Sequence, residues 1–226
     1  KRPLHLLTSE VAEQAAQGAG IDRARLGALL DRGVALGFAV ERWERSGIWI
    51  VSRGDAEYPA RYKKRLKEKA PPLLFCIGDR ALLKGGGLAI VGSRNVDAEG
   101  EEFTRTVAGL CARQGIRVVS GGARGVDSIA IESALQSGGT VLAVLADSLL
   151  KKSLQKAERS ALAADTLLLL SPYHPEASFS VGAAMGRNKL IYALSDYALV
   201  VSADDRKGGT WAGAEEELKR ENPLYV

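Results

Sequence analysis

The sequence predicts an α/β fold: a doubly wound, mostly parallel sheet with helices on both faces, preceded by a small helical amino-terminal domain. Three observations carry this. From about residue 73 onward, short apolar runs alternate regularly with stretches of helical period, the pattern of successive βαβ units. Two of those runs stop at glycines, at Gly92 and at Gly121-Gly122, where a strand would turn into a helix. Residues 8 to 46, by contrast, show only helical spacing.

Taken in order, Thr8-Ser9-Glu10 can cap a first helix, and Asp22 a second whose apolar Leu26, Leu29, Leu30, Val34 and Leu36 share one face. Gly37 to Arg45 continues as a third. Ile48 to Val51 reads as a short strand and Asp55 to Pro59 as a turn. Ala60 to Lys69 is a very basic helix that Pro71-Pro72 breaks before the strand Leu73 to Ile77. The domain limits predicted are a helical domain over 1–54, a basic linker helix over 55–72 and a Rossmann-like domain over 73–226.

Within that last domain, Leu88 to Val91 is a strand ending at Gly92, and Ile116 to Val119 a strand ending at Ser120-Gly121-Gly122; Phe103, Val107 and Leu110 mark the apolar side of the helix between them. A helix over Val126 to Gln136 is closed by Gly138-Gly139. Strands follow at Thr140 to Leu145, Thr166 to Leu170, Asp196 to Ser202 and Leu224 to Val226. The intervening helices are Leu149 to Leu162, Val181 to Ser195 and Ala212 to Arg220, and Ser171-Pro172-Tyr173-His174-Pro175 forces a loop. Lys1 in place of a methionine, and a strand only beginning at Leu224, read as a piece of a longer chain.

Length and composition permit one large domain or two small ones, since 226 residues with 46% hydrophobic and 26% charged content suffice for a sizeable core. No apolar run approaches the ~20 residues that span a bilayer, and no secretory leader follows Lys1. The expectation is therefore a cytoplasmic protein without membrane contact. Cys76 and Cys111 are too few and too far apart for a disulfide framework and read as core residues. Of the +4 formal charge, residues 1–70 carry 14 Lys+Arg against 9 Asp+Glu; that surplus suits a polyanionic partner or a solvated basic face equally.

A parallel sheet binds ligands beyond the carboxyl ends of its strands, so the turns Gly92-Ser93-Arg94 and Gly121-Gly122-Ala123-Arg124-Gly125 should lie side by side there. Glycines let a backbone approach a phosphate, helix amino termini offer free N–H groups, and arginine adds a forked donor. Further cations follow the other strands: Lys151 and Lys152, Arg187 and Lys189, Arg206 and Lys207. Together they would form a positive groove for a polyanionic or phosphorylated ligand. The dinucleotide spacing G-x-G-x-x-G and the P-loop G-x-x-x-x-G-K-[ST] are both missing. His5 and His174 stand alone, no Cys/His set has metal spacing, and no Ser/His/Asp set is suggested. We therefore assign no catalytic residue, no metal and no cofactor. Stacking platforms for bases are offered by Tyr173, Phe179 and Trp211.

The segments DAEYP, APPLLFCIGD, LAIVGSR, SGGARGVD, GGTVLAVLAD and GRNKLIYALSDYALVVSA occur in this order from residue 55 onward. So arranged, the chain resembles the DNA-processing protein A family, DprA/Smf. The resemblance implies an extended Rossmann-like fold, single-stranded DNA binding, dimerisation, and transfer of incoming strands to the recombinase RecA in transformation. It also implies a DNA pocket lined by Gly92, Ser93, Arg94, Ser120, Gly121, Gly122, Ala123, Arg124, Gly125, Arg187 and Asn188. To these the cation pattern adds Lys151, Lys152 and Lys189, and the late glycine turn adds Gly208, Gly209 and Thr210. The chain departs from the family pattern at Ile131, 147–150, Ser171-Pro172 and 208–211, which marks a divergent branch.

The end of the chain is also similar to the wider lysine-decarboxylase-like LOG group, in which an arginine-lysine helix precedes a G-G-x-x-T-x-x-E turn. That similarity implies an alternative function, a nucleotide-binding or nucleotide-hydrolysing sensor in which Arg187 holds a phosphate and Glu215 serves as acid or base. Glu215 to Glu217 also fits an acidic first-turn patch favoured by the helix dipole.

Overall fold

The computed structural model describes residues 9–203, 208–218 and 223–226. Thr8, His5, Arg206 and Lys207 lie outside them. The chain divides into two compact units, Lys1–Ser46 and Gly47–Val226.

The first unit contains α1 (Ser9–Ala19), α2 (Arg23–Leu30) and α3 (Gly33–Arg45). Asp22 caps α2, its carboxylate accepting the Arg25 N–H at 3.0 Å. The apolar spacing that predicted one helix through Leu36 is instead shared by two, which part at Asp31–Arg32. The predicted apolar face is not a buried one: α2 buries no residue, and Val34, Leu36 and Phe38 are all exposed.

The second unit is built on one sheet with the order β1-β2-β6-β5-β4-β3-β7-β8. Its strands are β1 (Trp49–Ser52), β2 (Leu73–Gly78), β3 (Leu88–Val91), β4 (Val118–Ser120), β5 (Val141–Val144), β6 (Leu167–Ser171), β7 (Tyr197–Val200) and β8 (Leu224–Tyr225). From β6 to β8 every pairing is parallel, in registers such as Val119 opposite Leu142 and Leu142 opposite Leu168. The edge pairs β1–β2 and β2–β6 are antiparallel. In β5 and β6 every side chain is buried, Val141 to Val144 and Leu167 to Leu170 all being at most 1% exposed. Unbroken apolar runs of this kind belong to strands covered on both faces.

The helices are α4 (Ala60–Leu66), α5 (Ala98–Arg113), α6 (Val126–Gln136), α7 (Leu149–Ser153), α8 (Lys156–Ala163), α9 (Val181–Leu194) and α10 (Gly208–Leu218). Among the described residues none is long and apolar enough to cross a membrane. Two findings bear on the expected domain limits. β1 pairs with β2, Trp49 opposite Cys76, and the Trp49 indole donates to the Gly78 carbonyl at 3.0 Å, so residues 49–52 belong to the sheet. α4 is no free linker either. Its Tyr62 and Leu66 are buried, and Arg65 donates to the Tyr192 and Ser195 carbonyls, so that a cation closes the end of α9. The helix stops at Leu66 because Lys67 takes a positive φ of 51°.

Burial on α5 also differs from the apolar stripe. Phe103 and Leu110 are exposed, whereas Thr104, Ala108 and Cys111 face inward. The reason is the close approach beside α6, where a Cβ on Gly139 would lie 2.6 Å from the Ala112 Cβ; only small side chains fit that seam. The expected helix over 149–162 is divided into α7 and α8 by Gln155, which is extended at ψ 144°.

Tyr62 is fully buried, and its hydroxyl has no hydrogen-bond partner among the described residues. An unsatisfied buried hydroxyl costs free energy. Tyr62→Phe is therefore expected to leave the protein at least as stable as wild type, with a gain of roughly 1 kcal/mol in urea unfolding; a clear fall in the midpoint would mean the hydroxyl has a partner.

Candidate functional site

The parallel strands run outward in opposite senses from β3: α5 leads from β3 to β4 on one side, while β7 and β8 lie on the other. Such a switch point leaves a crevice beyond the carboxyl ends of the two central strands. Here it is a cavity of about 490 Å³, with Gly92, Ser93, Arg94 and Asn95 along one side and Gly208, Gly209 and Thr210 along another. Asp127, Arg187, Asn188 and the apolar Val181, Ala184 and Met185 complete it.

The two glycine turns touch, as their place in the topology requires. Ser93 offers its carbonyl to the Val126 N–H at 3.2 Å and its hydroxyl to the Asn95 N–H at 3.1 Å. A Cβ on Gly92 would fall 2.5 Å from the Val126 side chain, so this strand end admits α6 only when that residue is glycine. Gly125 faces the first turn in the same way: its φ is +86°, and a Cβ there would overlap the Ser93 carbonyl oxygen. The third turn joins them through Thr210, whose hydroxyl donates to the Gly92 carbonyl at 3.0 Å, and through Asn188, whose amide donates to the Gly209 carbonyl at 2.9 Å.

Two guanidinium groups stand exposed at this junction. Arg124 donates to the Asn95 side-chain oxygen at 2.6 Å, which holds it against the first turn. Arg94 lies over the Phe179 ring, 5.1 Å from its centroid, and half of Phe179 remains exposed. Their charge is thus presented to solvent while their positions are restrained.

Arg187 is placed differently. It is 4% exposed, donates to the Val144 carbonyl at 2.7 Å, and faces Asp127, Asp147 and Tyr173. Burial lowers its pKa from the ordinary arginine value, against the opposing pull of those three groups. Asp127 mirrors it: burial pushes the carboxyl up, while the Arg187 guanidinium and the backbone amides of Ala123, Gly92 and Gly121 pull the other way. Arg187 therefore lies beneath the crevice as part of its floor.

The remaining expected residues divide as follows. Ser120 is wholly buried at the end of β4, its hydroxyl donating to the Ile90 carbonyl at 2.7 Å, and it ties two strands together. Gly121, Gly122 and Ala123 build the second turn, which with Arg124 borders the cavity through its contact with the first turn and does not itself line it. Lys151 and Lys152 lie on α7 away from the cavity lining, and Lys152 is ion-paired with Glu158 at 2.6 Å. Lys189 is half-buried on α9 and does not line the cavity. Neither Trp211 nor Glu215 lines it, and Glu215 is exposed on α10, so the acid or base of the nucleotide-hydrolysing alternative is not in the crevice. Tyr173 is occupied in donating to the Ala183 carbonyl at 2.9 Å. Asp127 was missed in the sequence because one acidic residue in a first turn reads as ordinary dipole chemistry. Among the described residues no group of three or more His, Cys, Asp or Glu could hold a metal.

A doubly wound sheet whose glycine turns touch beside its switch point defines a Rossmann-like protein. The family model for DNA recombination-mediator protein A matches residues 49–226, and the chain belongs to that family. Among curated relatives, it is 29% identical to DNA processing protein DprA of Bacillus subtilis over 171 residues, covering 74% of this chain and 56% of that protein. It is 34% identical to protein Smf of Escherichia coli over 142 residues, covering 61% of this chain and 37% of that one. The chain thus spans about half the length of these relatives or less. Among solved structures, DNA processing protein A from Helicobacter pylori, described for its single-stranded DNA binding mode, superposes with a TM-score of 0.65 at 30% identity, covering 79% of this chain and 80% of that one. DprA from Streptococcus pneumoniae gives 0.68 at 27% identity, covering 81% and 65%.

Proposed function

We propose that the chain is a non-enzymatic, DprA-type single-stranded DNA-binding protein, and that the strand lies across the junction of the two glycine turns. The observation that carries this is the pair of exposed guanidinium groups, Arg94 on Phe179 and Arg124 on Asn95, at the touching turns. Two restrained cations beside a half-exposed aromatic ring suit a phosphodiester chain whose bases stack. The cationic set is narrower than the sequence pattern suggested: Arg94 and Arg124 meet the phosphates, Arg187 supports the floor, and Gly208, Gly209 and Thr210 form the opposite bank. Likeness to the Helicobacter pylori protein supports DNA as the ligand. Membership of a recombination-mediator family supports delivery of the strand to the RecA recombinase, and the reading includes a cytoplasmic homodimer, as the sequence resemblance implies.

The test is competition for a fluorescently labelled oligo-dT. Its affinity should fall steeply as salt is raised, because each phosphate contact releases counterions. Thymidine monophosphate, matched for total phosphate, should compete poorly, since a lone nucleotide forgoes the neighbouring phosphates and stacked bases of a strand. Equal competition by the mononucleotide would reject the strand-binding reading in favour of a nucleotide pocket.

A further inference from the structure

The amides of a glycine turn ordinarily await an external anion, and here an internal carboxylate lies against them. Asp127, in the first turn of α6, is 6% exposed. Its carboxylate packs directly against Gly121, where an added Cβ would fall 2.5 Å from one of its oxygens, and the neighbouring amides of Ala123, Gly92 and Gly121 draw its pKa down against the effect of burial. Arg187 faces it, and Gly121 runs so tightly between them that a Cβ there would overlap both the guanidinium and the carboxylate. The Arg187 Nε has no hydrogen-bond partner among the described residues. A guanidinium keeps its proton at neutral pH, so a cation buried this deeply requires an anion close by.

We infer that Asp127 is a positioning residue, the built-in anion of both glycine turns, whose single carboxylate clamps Gly92 to Gly121 and Ala123 and so sets the separation of Arg94 and Arg124. A phosphate arriving at the crevice finds those three amides taken. It is met by side chains, which explains why the exposed arginines sit on the turns themselves. Asp127 lines the crevice, and its role there is one of position. It acts by holding the turns in register, and removing it leaves three amides and one guanidinium facing a vacancy the size of a carboxylate.

That vacancy supplies the test. Asp127→Ala should lower the melting temperature, and sodium formate should restore it, with stabilisation rising as the logarithm of formate concentration above half-saturation. Sodium chloride at the same ionic strength should not restore it. Neither wild type, where the clamp is filled, nor Asp127→Asn, where the space is filled, should respond specifically to formate. A purely structural loss would show no such saturable rescue. If oligo-dT binds wild type, Asp127→Ala should bind it more weakly and formate should recover that affinity too. The thermal measurement does not depend on DNA being the ligand, so it separates this inference from the strand-binding reading. An unchanged melting temperature in Asp127→Ala, or a loss that formate fails to recover, would overturn the clamp. Should Asp127→Ala not fold, Asp127→Asn is compared with Asp127→Asn/Arg187→Met: removing both members of a buried pair should leave a more stable protein than removing one, and a double variant no more stable than the single also overturns it.

Discussion

Gly125→Ala is expected to destabilise the second unit by about 3 to 5 kcal/mol, the sum of backbone strain and overlap with atoms that cannot move aside. At φ +86° a residue with a Cβ is strained by roughly 1 to 3 kcal/mol. The added carbon would also overlap the Ser93 carbonyl oxygen and lie 2.8 Å from the Arg94 Cα. These are main-chain atoms of the first turn, and no rotamer change relieves them. Gly138 separates the two effects, because its φ is +76° but a Cβ there meets nothing within 4 Å. Gly138→Ala should therefore show the strain alone. Urea midpoints at unchanged m-value provide the comparison; equal losses in the two variants would show that contact between the turns contributes nothing.

That contact is partly legible in the sequence. Strand ends at Gly92 and near Gly121 follow from apolar runs stopping at glycine, and the topology places successive parallel strand ends together, so the adjacency of the turns could be read. What the turns hold could not. The side chain packed against them, Asp127, is a single acidic residue among many, and the turn residues that act on it lie up to 35 positions away. In the sequence Arg187 reads as a phosphate ligand because charge is visible there and burial is not; its neighbours Val144 and Asp127 come from other βαβ units. The same limit applies to Phe179, which meets Arg94 from a loop after β6. Periodicity misled where packing needed small residues: on α5 the larger apolar stripe Phe103 and Leu110 faces out because the seam beside α6 admits only the likes of Thr104 and Ala108. At the unit boundary the signal was likewise long-range, since residues 49–52 find their partners at 73–76.

Arg94→Ala/Arg124→Ala should nearly abolish oligo-dT binding while the fold survives. Each guanidinium lost is expected to cost roughly 1 to 3 kcal/mol of binding, the range for a charge-assisted hydrogen bond. The effects need not add, because both arginines flank the same turn junction. Neither side chain supports the core: among the described residues Arg124 donates to Asn95 alone, and Arg94 lies on a half-exposed ring. Melting temperature should therefore stay within a few degrees of wild type. The mechanism carries a second signature in the salt dependence, since a phosphate contact on a single strand contributes roughly 0.7 to the slope of log affinity against log salt. The double variant should lose that increment once for each arginine that truly meets a phosphate. Lys151→Ala and Lys152→Ala, on a helix away from the cavity, should leave both affinity and slope essentially unchanged. A double arginine variant that binds oligo-dT as wild type does, with the same slope, would remove the strand from this crevice; loss on the lysine variants alone would move it towards α7.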